Sequence, residues 1–430
     1  MVPRGVPGRL RPGAWSRLSS VTPTARPITD DHALALAVRH RWSPIVGVVL
    51  VAIAALAYWL SARLFDAGRP DLFYLADAFL HGRVWLERPL GPYDVILLDG
   101  RVFVPFAPFP AIAFLPLVAL VGPATATAWQ PLINALLAAT GVALVWVLMS
   151  RLGVRSVRDR FWIALLFGFS TQVWWVVTRG GVWHTGHLIA AMLTLGGLVE
   201  ASGPRRPWLL GLLAGAAFLT RAPLAFAIPF FAWIVVADEG RFDPRTWRWR
   251  ALVPYLAGVL PSFVFFFWYN WARFGSPLES GYALASLPAW LEAQRQVGLF
   301  SLAHLPMNFD YLFLHLPAPI PEFPFFRPDG LGLSIFLTSP GLLLALRAPW
   351  RSSRAIALGL TALVVLVPSL LYYGGGWLQY GYRYALDSIP FVIALCGLAA
   401  AHHGVGRGWR LLILFGVLVG LGGVYWAYHL

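Results

Sequence analysis

The chain has 430 residues, 58% hydrophobic and 12% charged, with a formal net charge of +14. Soluble domains carry about 25% charged residues, so this composition excludes a soluble enzyme and points to a polytopic membrane protein built as a helical bundle. All 33 basic residues are arginine and are scattered over short segments, which excludes the clustered basic surface of a nucleic-acid-binding protein. A chain without lysine and rich in Ala, Gly, Leu and Pro is typical of GC-rich bacterial genomes. The one cysteine, Cys396, sits in an apolar run, so there is no intrachain disulfide and no Cys-based metal site.

Residues 1–41 are rich in Arg, Pro and Ser and are expected to form a disordered cytoplasmic leader. This stretch is too long for the basic region of a cleaved signal peptide, and the apolar run behind it is long enough to stay as an anchor. The first span is expected at Pro44–Leu64. A long loop follows, holding Asp66, Asp71, Asp77, Glu87, Asp94 and Asp99, the densest acidic cluster of the chain. Carboxylates are costly at the edge of a bilayer, so such a cluster marks a candidate site. The plainer account is a solvated loop whose acids balance its arginines.

The apolar run 104–121 is interrupted by Pro105, Pro108, Pro110 and Pro116 and is read as re-entrant or interfacial rather than spanning. Ten further spans are expected at Trp129–Met149, Phe161–Val177, His184–Val199, Trp208–Leu219, Pro223–Val236, Leu252–Asn270, Leu331–Leu346, Ile356–Tyr372, Tyr384–Ala400 and Trp409–Tyr428. With the N-terminus inside, the cytoplasmic segments carry 22 of the 33 arginines and 7 of the 19 acids. That asymmetry fits the positive-inside rule and gathers the remaining acids, and with them the chemistry, on the outer side. A second outer loop, 271–330, carries an amphipathic stretch with Trp290, Phe300 and Phe309, as expected of a helix lying in the interface. Gly211 and Gly215, and Gly416 and Gly420, have helix-packing spacing.

Several residues could carry chemistry. Arg221, before Pro223, needs a partner or a water-filled cavity. It reads evenly as a structural ion pair or as an anion ligand. Arg383, in Tyr380-Gly-Tyr-Arg-Tyr384, has the planar fork that suits a phosphate. Arg179 lies near His184 and His187, which are three apart and share a helix face. A metal site there would want a nearby carboxylate, and that segment has none. No Walker loop, dinucleotide fingerprint, zincin motif or nucleophile elbow is present.

The loop pattern is then informative. An Asp just beyond the first span, then Tyr74, Ala78 and Gly82, then Gly100-Arg-Val-Phe-x-Pro-x-x-Pro108 entering an apolar run, resembles the first outer loop of the GT-C superfamily of polytopic, lipid-phosphate-sugar-dependent glycosyltransferases. Leu-Thr-Arg-Ala-Pro223, Asn-Trp-Ala-Arg-Phe-Gly-Ser-Pro277 with Tyr282, and Tyr-Gly-Tyr-Arg-Tyr384 followed by Pro390 look like the protein O-mannosyltransferase and aminoarabinose-transferase branch. The resemblance implies an all-α integral-membrane bundle of about 11–12 transmembrane helices over 42–430, with outer loops at about 65–126 and 271–330. It implies a polyprenyl-phosphate-sugar donor, a lipid, glycan or protein acceptor, and a site on the outer face of a bacterial cell membrane. By the matching position Asp71 is expected as the catalytic base, with Asp77, Arg179, His184, Arg221, Arg273, Tyr382 and Arg383 as substrate-binding residues. The chain has Asp71-Leu72 where many relatives have Asp-Glu. No ligand cluster for a divalent cation stands out, so no metal site is assigned and the cofactor is left open. Two other readings stay open: a lipid-linked-sugar transporter, and a non-catalytic subunit of an envelope assembly complex.

Overall fold

The computed structural model describes the backbone of residues 30–64, 68–237 and 242–429, and side chains from residue 44 onward. Residues 1–29 of the expected leader lie outside the described residues, as do the acids Asp66, Asp238 and Glu239. The chain divides into two units, 1–43 and 44–430. In the first, the described backbone is helical from Asp30, as the start of α1 (Asp30–Ala62). The second is the membrane bundle.

Among the described residues, seven helices are long and apolar enough to cross a membrane: the Pro44–Ala62 part of α1, α3 (Phe109–Ala128), α4 (Gln130–Arg151), α7 (Val182–Ala201), α10 (Leu252–Phe274), α14 (Ser353–Leu371) and α16 (Arg407–Ala427). The pair α5 (Val157–Phe169) and α6 (Val173–Arg179), bent by 42° at their junction, reaches that length only when taken together, as a broken span or a re-entrant loop. Shorter apolar segments are α8 (Pro207–Thr220), the 3-10 turn Ala222–Ala227 running into α9 (Ile228–Val236), and α15 (Ile389–His403). The fold is therefore all-α and polytopic, as composition requires.

Three expectations are corrected. Against about 11–12 expected transmembrane helices, seven described helices, or eight with the bent pair, reach spanning length, because the segments expected at 208–219, 223–236 and 384–400 form helices too short to count. The run Leu331–Leu346 is not one span but α13 (Ile335–Thr338) and a 3-10 helix, Pro340–Arg347. Pro340 cannot continue the hydrogen-bond ladder and pushes Ser339 out of the helical region, to φ −143° and ψ 47°. The proline-rich run becomes α3, a helix that reaches spanning length only by continuing across a kink at Gly122 (φ 77°). The part before the kink, Phe109–Val121, is about 20 Å long at 1.5 Å per residue, short of the roughly 30 Å hydrocarbon core. It packs against α2 (Asp71–Leu80), with the ring of Phe73 tilted against that of Phe114 at 4.9 Å.

The helix termini that face the loops are cross-tied into one end of the bundle. Arg179, ending α6, donates to the Ala427 carbonyl at 3.0 Å, and Gln130, opening α4, donates to Thr185 at 3.1 Å. Tyr382 donates to the Ser369 carbonyl near the end of α14 at 2.8 Å. At the opposite end, Arg206 pairs with Glu200 at 3.0 Å. Helix α7 is the most enclosed span, with 78% of its apolar window buried, so whatever its loop-facing end carries lies at the centre of the bundle.

The loops over that end are built from local rules. Asp99 and Gly100 both have positive φ and form the two-residue turn between β1 (Ile96–Leu98) and β2 (Arg101–Phe103), in the register Leu98 to Arg101. The Gly-Arg-Val-Phe motif is thus a hairpin strand. The second loop contributes α11 (Ala289–Gln296), α12 (Leu305–Phe309), a π-turn at Asp310–Leu314, and the short pair β3 (Ala318–Pro319) and β4 (Phe326–Arg327). The two loops interlock. Asp94 N–H donates to the Ser286 carbonyl at 2.8 Å, and Ser286 N–H returns to the Val95 carbonyl at 2.8 Å.

The Gly211/Gly215 pair packs as its spacing implies. A Cβ on Gly211 would strike the Tyr255 carbonyl of α10, and one on Gly215 would lie 2.5 Å from Ser262 Oγ. Gly211→Leu is expected to force α8 from α10 and cost about 1–3 kcal/mol, seen as a lower midpoint for heat-induced loss of monodisperse protein in detergent. An unchanged midpoint would contradict this packing.

His315 fastens the second loop, with Nδ1 2.9 Å from Asp310 and Nε2 2.8 Å from Asp329. Burial works to lower its pKa, but the two carboxylates outweigh burial and hold it above the ordinary value. The clamp is therefore complete below about pH 6.5 and is lost as pH rises through the raised pKa. Limited proteolysis within 305–330 should speed up between about pH 6.5 and 8.5, and His315→Gln should remove that pH dependence. Equal cleavage at both pH values in the wild type would refute the clamp.

Candidate functional site

The site forms where three chain breaks meet at the loop end of the bundle. Arg221 follows α8 in an extended conformation (φ −144°, ψ 111°), because Pro223 two residues on stops the helix. Asp387 ends a 3-10 turn, Arg383–Asp387, that leads into α15. Gly180 and Gly181, at φ 58° and 78°, turn the chain from α6 into α7, a conformation that suits glycine alone.

Arg221 and Asp387 form a forked pair: Nε lies 3.2 Å from both carboxylate oxygens and Nη2 lies 2.9 Å from Oδ2. Asp387 is buried, while the Arg221 side chain keeps 21% of its surface. His187 Nδ1 approaches Asp387 Oδ1 at 3.3 Å, close enough for electrostatic attraction but off hydrogen-bond geometry. Tyr384 spans the group, 5.2 Å from the Arg221 guanidinium, 5.4 Å from that of Arg383 and 5.8 Å from the His187 ring.

Beside this pair lies a cationic group. Arg383 is buried, and its Nη1 reaches the Trp377 and Leu378 carbonyls only at 3.4 and 3.5 Å. Its Nε is buried with no hydrogen-bond partner among the described residues. Arg179 and His184 lie within its electrostatic reach. His184 Nδ1 sits 2.6 Å from the Gly180 carbonyl, which assigns the proton to Nδ1. Its Nε2 is then a buried acceptor, without a hydrogen-bond partner among the described residues.

The acids of the first loop separate sharply. Asp71 is fully buried at the start of α2, and Arg69 meets both its oxygens, with Nε 3.0 Å from Oδ2 and Nη2 on Oδ1. Asp94 accepts from Trp183 Nε1 at 2.9 Å and lies within electrostatic reach of Arg69 and Arg383. Burial raises the pKa of both carboxyls. For Asp71 the Arg69 guanidinium opposes this, and for Asp94 the Trp183 hydrogen bond and the charges of Arg69 and Arg383 do. Asp77 points away, 30% exposed and 3.7 Å from His81. Glu87 is exposed and pairs with Arg83 at 2.6 Å.

The structure therefore brings together Asp71, Arg179, His184, Arg221 and Arg383 around the N-terminal end of α7. It leaves three other expected residues in local roles. Asp77 faces His81. Arg273 is spent on carbonyls, 2.8 Å from Val104 and 3.4 Å from Ser280, and on Asn270 Oδ1 at 2.8 Å, stacking on Tyr269. Tyr382 is buried, 2.8 Å from the Ser369 carbonyl and 3.3 Å from Asn308. Sequence reasoning gave Asp387 no site role, weighed His187 only beside His184 as a metal or phosphate contact, and held Asp94, with Asp77, as an alternative to Asp71 for the base. Asp387 was visible as an acid inside an otherwise apolar run, and Arg221 required a partner. Among the described residues, no group of three or more His, Cys, Asp or Glu side chains could cage a metal ion.

No family model and no curated protein matches the chain. Among solved structures, it is similar to the oligosaccharyltransferase of Archaeoglobus fulgidus. The apo crystal structure superposes with a TM-score of 0.49 at 15% identity, over 90% of this chain and 55% of that one. The form tethered to an acceptor peptide containing the NVT sequon gives 0.42 at 14% identity over the same shares. The chain thus spans about half the length of that protein.

The Arg221–Asp387 pair sets a clear energetic expectation. Asp387→Asn leaves the half-buried Arg221 guanidinium uncompensated and should cost about 3 kcal/mol, whereas adding Arg221→Gln should recover most of the loss. Denaturation of both variants in mixed micelles checks this. Losses that simply add would mean the two groups are not coupled.

Proposed function

We infer that the chain is an integral-membrane glycosyltransferase of GT-C type, moving a sugar from a polyprenyl-phosphate carrier to an acceptor hydroxyl on the outer face of a cell membrane. One observation carries this reading. A half-buried carboxylate, Asp94, stands beside a buried cationic group whose donors and acceptors are incompletely used, with the buried Asp71 next to it behind Arg69. Transfer of this kind needs a carboxylate to take the acceptor proton and cations to hold the departing phosphate, with no covalent nucleophile and no nucleotide.

The residues divide naturally between these tasks. Arg383 offers an unused Nε and carries its charge toward Asp94, which suits a phosphate; Arg179 adds a second positive charge. The Asp387 carboxylate takes up most of the Arg221 fork, so Arg221 shapes the pocket more than it supplies free charge. The unpaired Nε2 of His184 is an acceptor suited to a sugar hydroxyl, and Tyr384 and Tyr282 offer ring faces for the sugar. The outer-face location rests on the arginine asymmetry of the sequence, and the GT-C assignment on the loop motifs around Asp71 and Gly100–Pro108. A transporter would want charges distributed along the bundle. Here the site charges gather at the loop end.

The test uses the purified chain in lipid nanodiscs with radiolabelled polyprenyl-phosphate hexoses and pentoses and a mixed pool of lipid, glycan and peptide acceptors. Release of polyprenyl phosphate with labelled acceptor is expected, falling about a hundredfold in Arg383→Gln. Absence of turnover with every donor and acceptor, or full activity of Arg383→Gln, would overturn the reading.

A further inference from the structure

Asp71, buried, and Asp94, half-buried, are held in different ways, and the difference divides their roles. Asp71 has no exposed surface, and Arg69 closes on both its oxygens. The same guanidinium donates through Nη1 to the carbonyl of Tyr93, the residue before Asp94. Phe106 and Trp183 flank it, their ring centroids 5.7 and 5.5 Å away. The turn at 93–94 is therefore fastened to Asp71 through Arg69.

Asp94 is presented rather than enclosed. Its backbone is in the left-handed region (φ 52°), uncommon outside glycine though Asp is among the residues that tolerate it. The contacts that hold it there are the Arg69–Tyr93 bond and the Ser286 bonds. Trp183 Nε1 fixes Oδ2 at 2.9 Å, and Oδ1 accepts no hydrogen bond among the described residues. The charged and titratable groups around Asp94 are Arg69, Asp71, Arg383, Tyr282 and Tyr373. Among the described residues, those that act most on Asp71 are Arg69 and Asp94. Asp94 thus faces the cationic group, and Asp71 faces away from it behind Arg69.

We propose that Asp94, and not Asp71, is the carboxylate that takes the proton of the acceptor hydroxyl, and that Asp71 is a positioning residue acting through Arg69. The inference rests on the glycosyl-transfer reading. In the step, the acceptor oxygen bonds to the anomeric carbon of the sugar. The bond from that carbon to the carrier phosphate breaks, and its electron pair goes to the phosphate oxygen near Arg383. The acceptor proton passes to Asp94 Oδ1 and then to water. A base raised by burial toward the working pH, yet kept ionisable by Arg69 and Arg383, suits this task. Strained backbone held at a reacting group is a recurrent feature of functional sites.

Two measurements on the full chain in nanodiscs test the assignment. The first compares turnover of the polyprenyl-phosphate sugars by the wild type, Asp94→Asn, Asp71→Asn and Asp71→Glu. Asp94→Asn is expected to lower kcat about a hundredfold or more with the donor KM little changed. Asp71→Asn should lose less and move the acidic limb of the pH–rate profile to lower pH, because Asp94 loses a neighbouring negative charge and gains the unpaired Arg69. Asp71→Glu should return that limb toward wild type. The second measurement follows proton uptake on binding undecaprenyl phosphate, by calorimetry in two buffers of different ionisation enthalpy. Bringing phosphate charge beside Asp94 should draw a proton onto it, and Asp94→Asn should abolish the uptake. A collapse of turnover in Asp71→Asn with activity retained in Asp94→Asn would overturn the proposal, as would proton uptake unchanged by Asp94→Asn. A wild type without turnover, but with uptake lost in Asp94→Asn, would sink the glycosyl-transfer reading while supporting Asp94 as the group facing the phosphate.

Discussion

A charge buried in an apolar bundle has to be neutralised, and the loop end of this molecule is arranged around one such neutralisation. Arg221 and Asp387 are 166 residues apart and meet as a fork at the ends of two interrupted helices. Neither could be buried alone without a penalty of several kcal/mol. The pair lies where α8 stops before Pro223 and where α15 begins, and so where backbone leaves regular helix inside the bundle. Irregular backbone at such a depth is tolerated only where it is enclosed by protein or lines a cavity. His187 and Tyr384 lean on the pair, and Arg383, four residues before Asp387, is carried into place by the same turn.

The second constraint is the way the two loops close over that end. Val182 N–H donates to the Arg69 carbonyl at 3.1 Å, which places the start of α2 against the start of α7. Ser286 stitches the second loop to Val95, and Arg273 ties α10 to Val104. Few of these ties are apolar. They are hydrogen bonds between carbonyls, amides and guanidinium groups in a half-buried setting, where an unmade bond costs more than a made one contributes. The consequence is a pair of loops that hold Asp94 in an uncommon backbone conformation without needing long helices to do it.

Much of this was legible in the sequence, and the failures have physical causes. Apolar runs and arginine-bearing connections gave the bundle and the end where the site lies, because the cost of burying charge writes topology directly into composition. Arg221, Arg383, Arg179 and His184 were legible because polar groups stand out in apolar surroundings. Asp387 was overlooked inside an apparent span, since a hydropathy window averages one acid away among apolar neighbours. The roles of Asp71 and Asp94 could not be separated by position, because the difference lies in Arg69, which meets both oxygens of one carboxylate and only the backbone beside the other. Arg273 and Tyr382 were offered as ligands by the family resemblance, and their donors meet backbone carbonyls, which no sequence pattern reveals. Leu331–Leu346 failed as a span because hydropathy is blind to the backbone effect of Pro340.

The central claim is that the cationic group at the loop end holds a lipid phosphate with Asp94 beside it. The most direct measurement is a cryo-EM structure of the chain in nanodiscs with a polyprenyl-phosphate sugar bound. The account predicts phosphate density against Arg383, with Arg179 and His184 around the headgroup and the anomeric carbon on the Asp94 side. Phosphate density at the opposite end of the bundle, near Arg151 and Arg206, or a headgroup turned toward solvent away from Arg383, would contradict it.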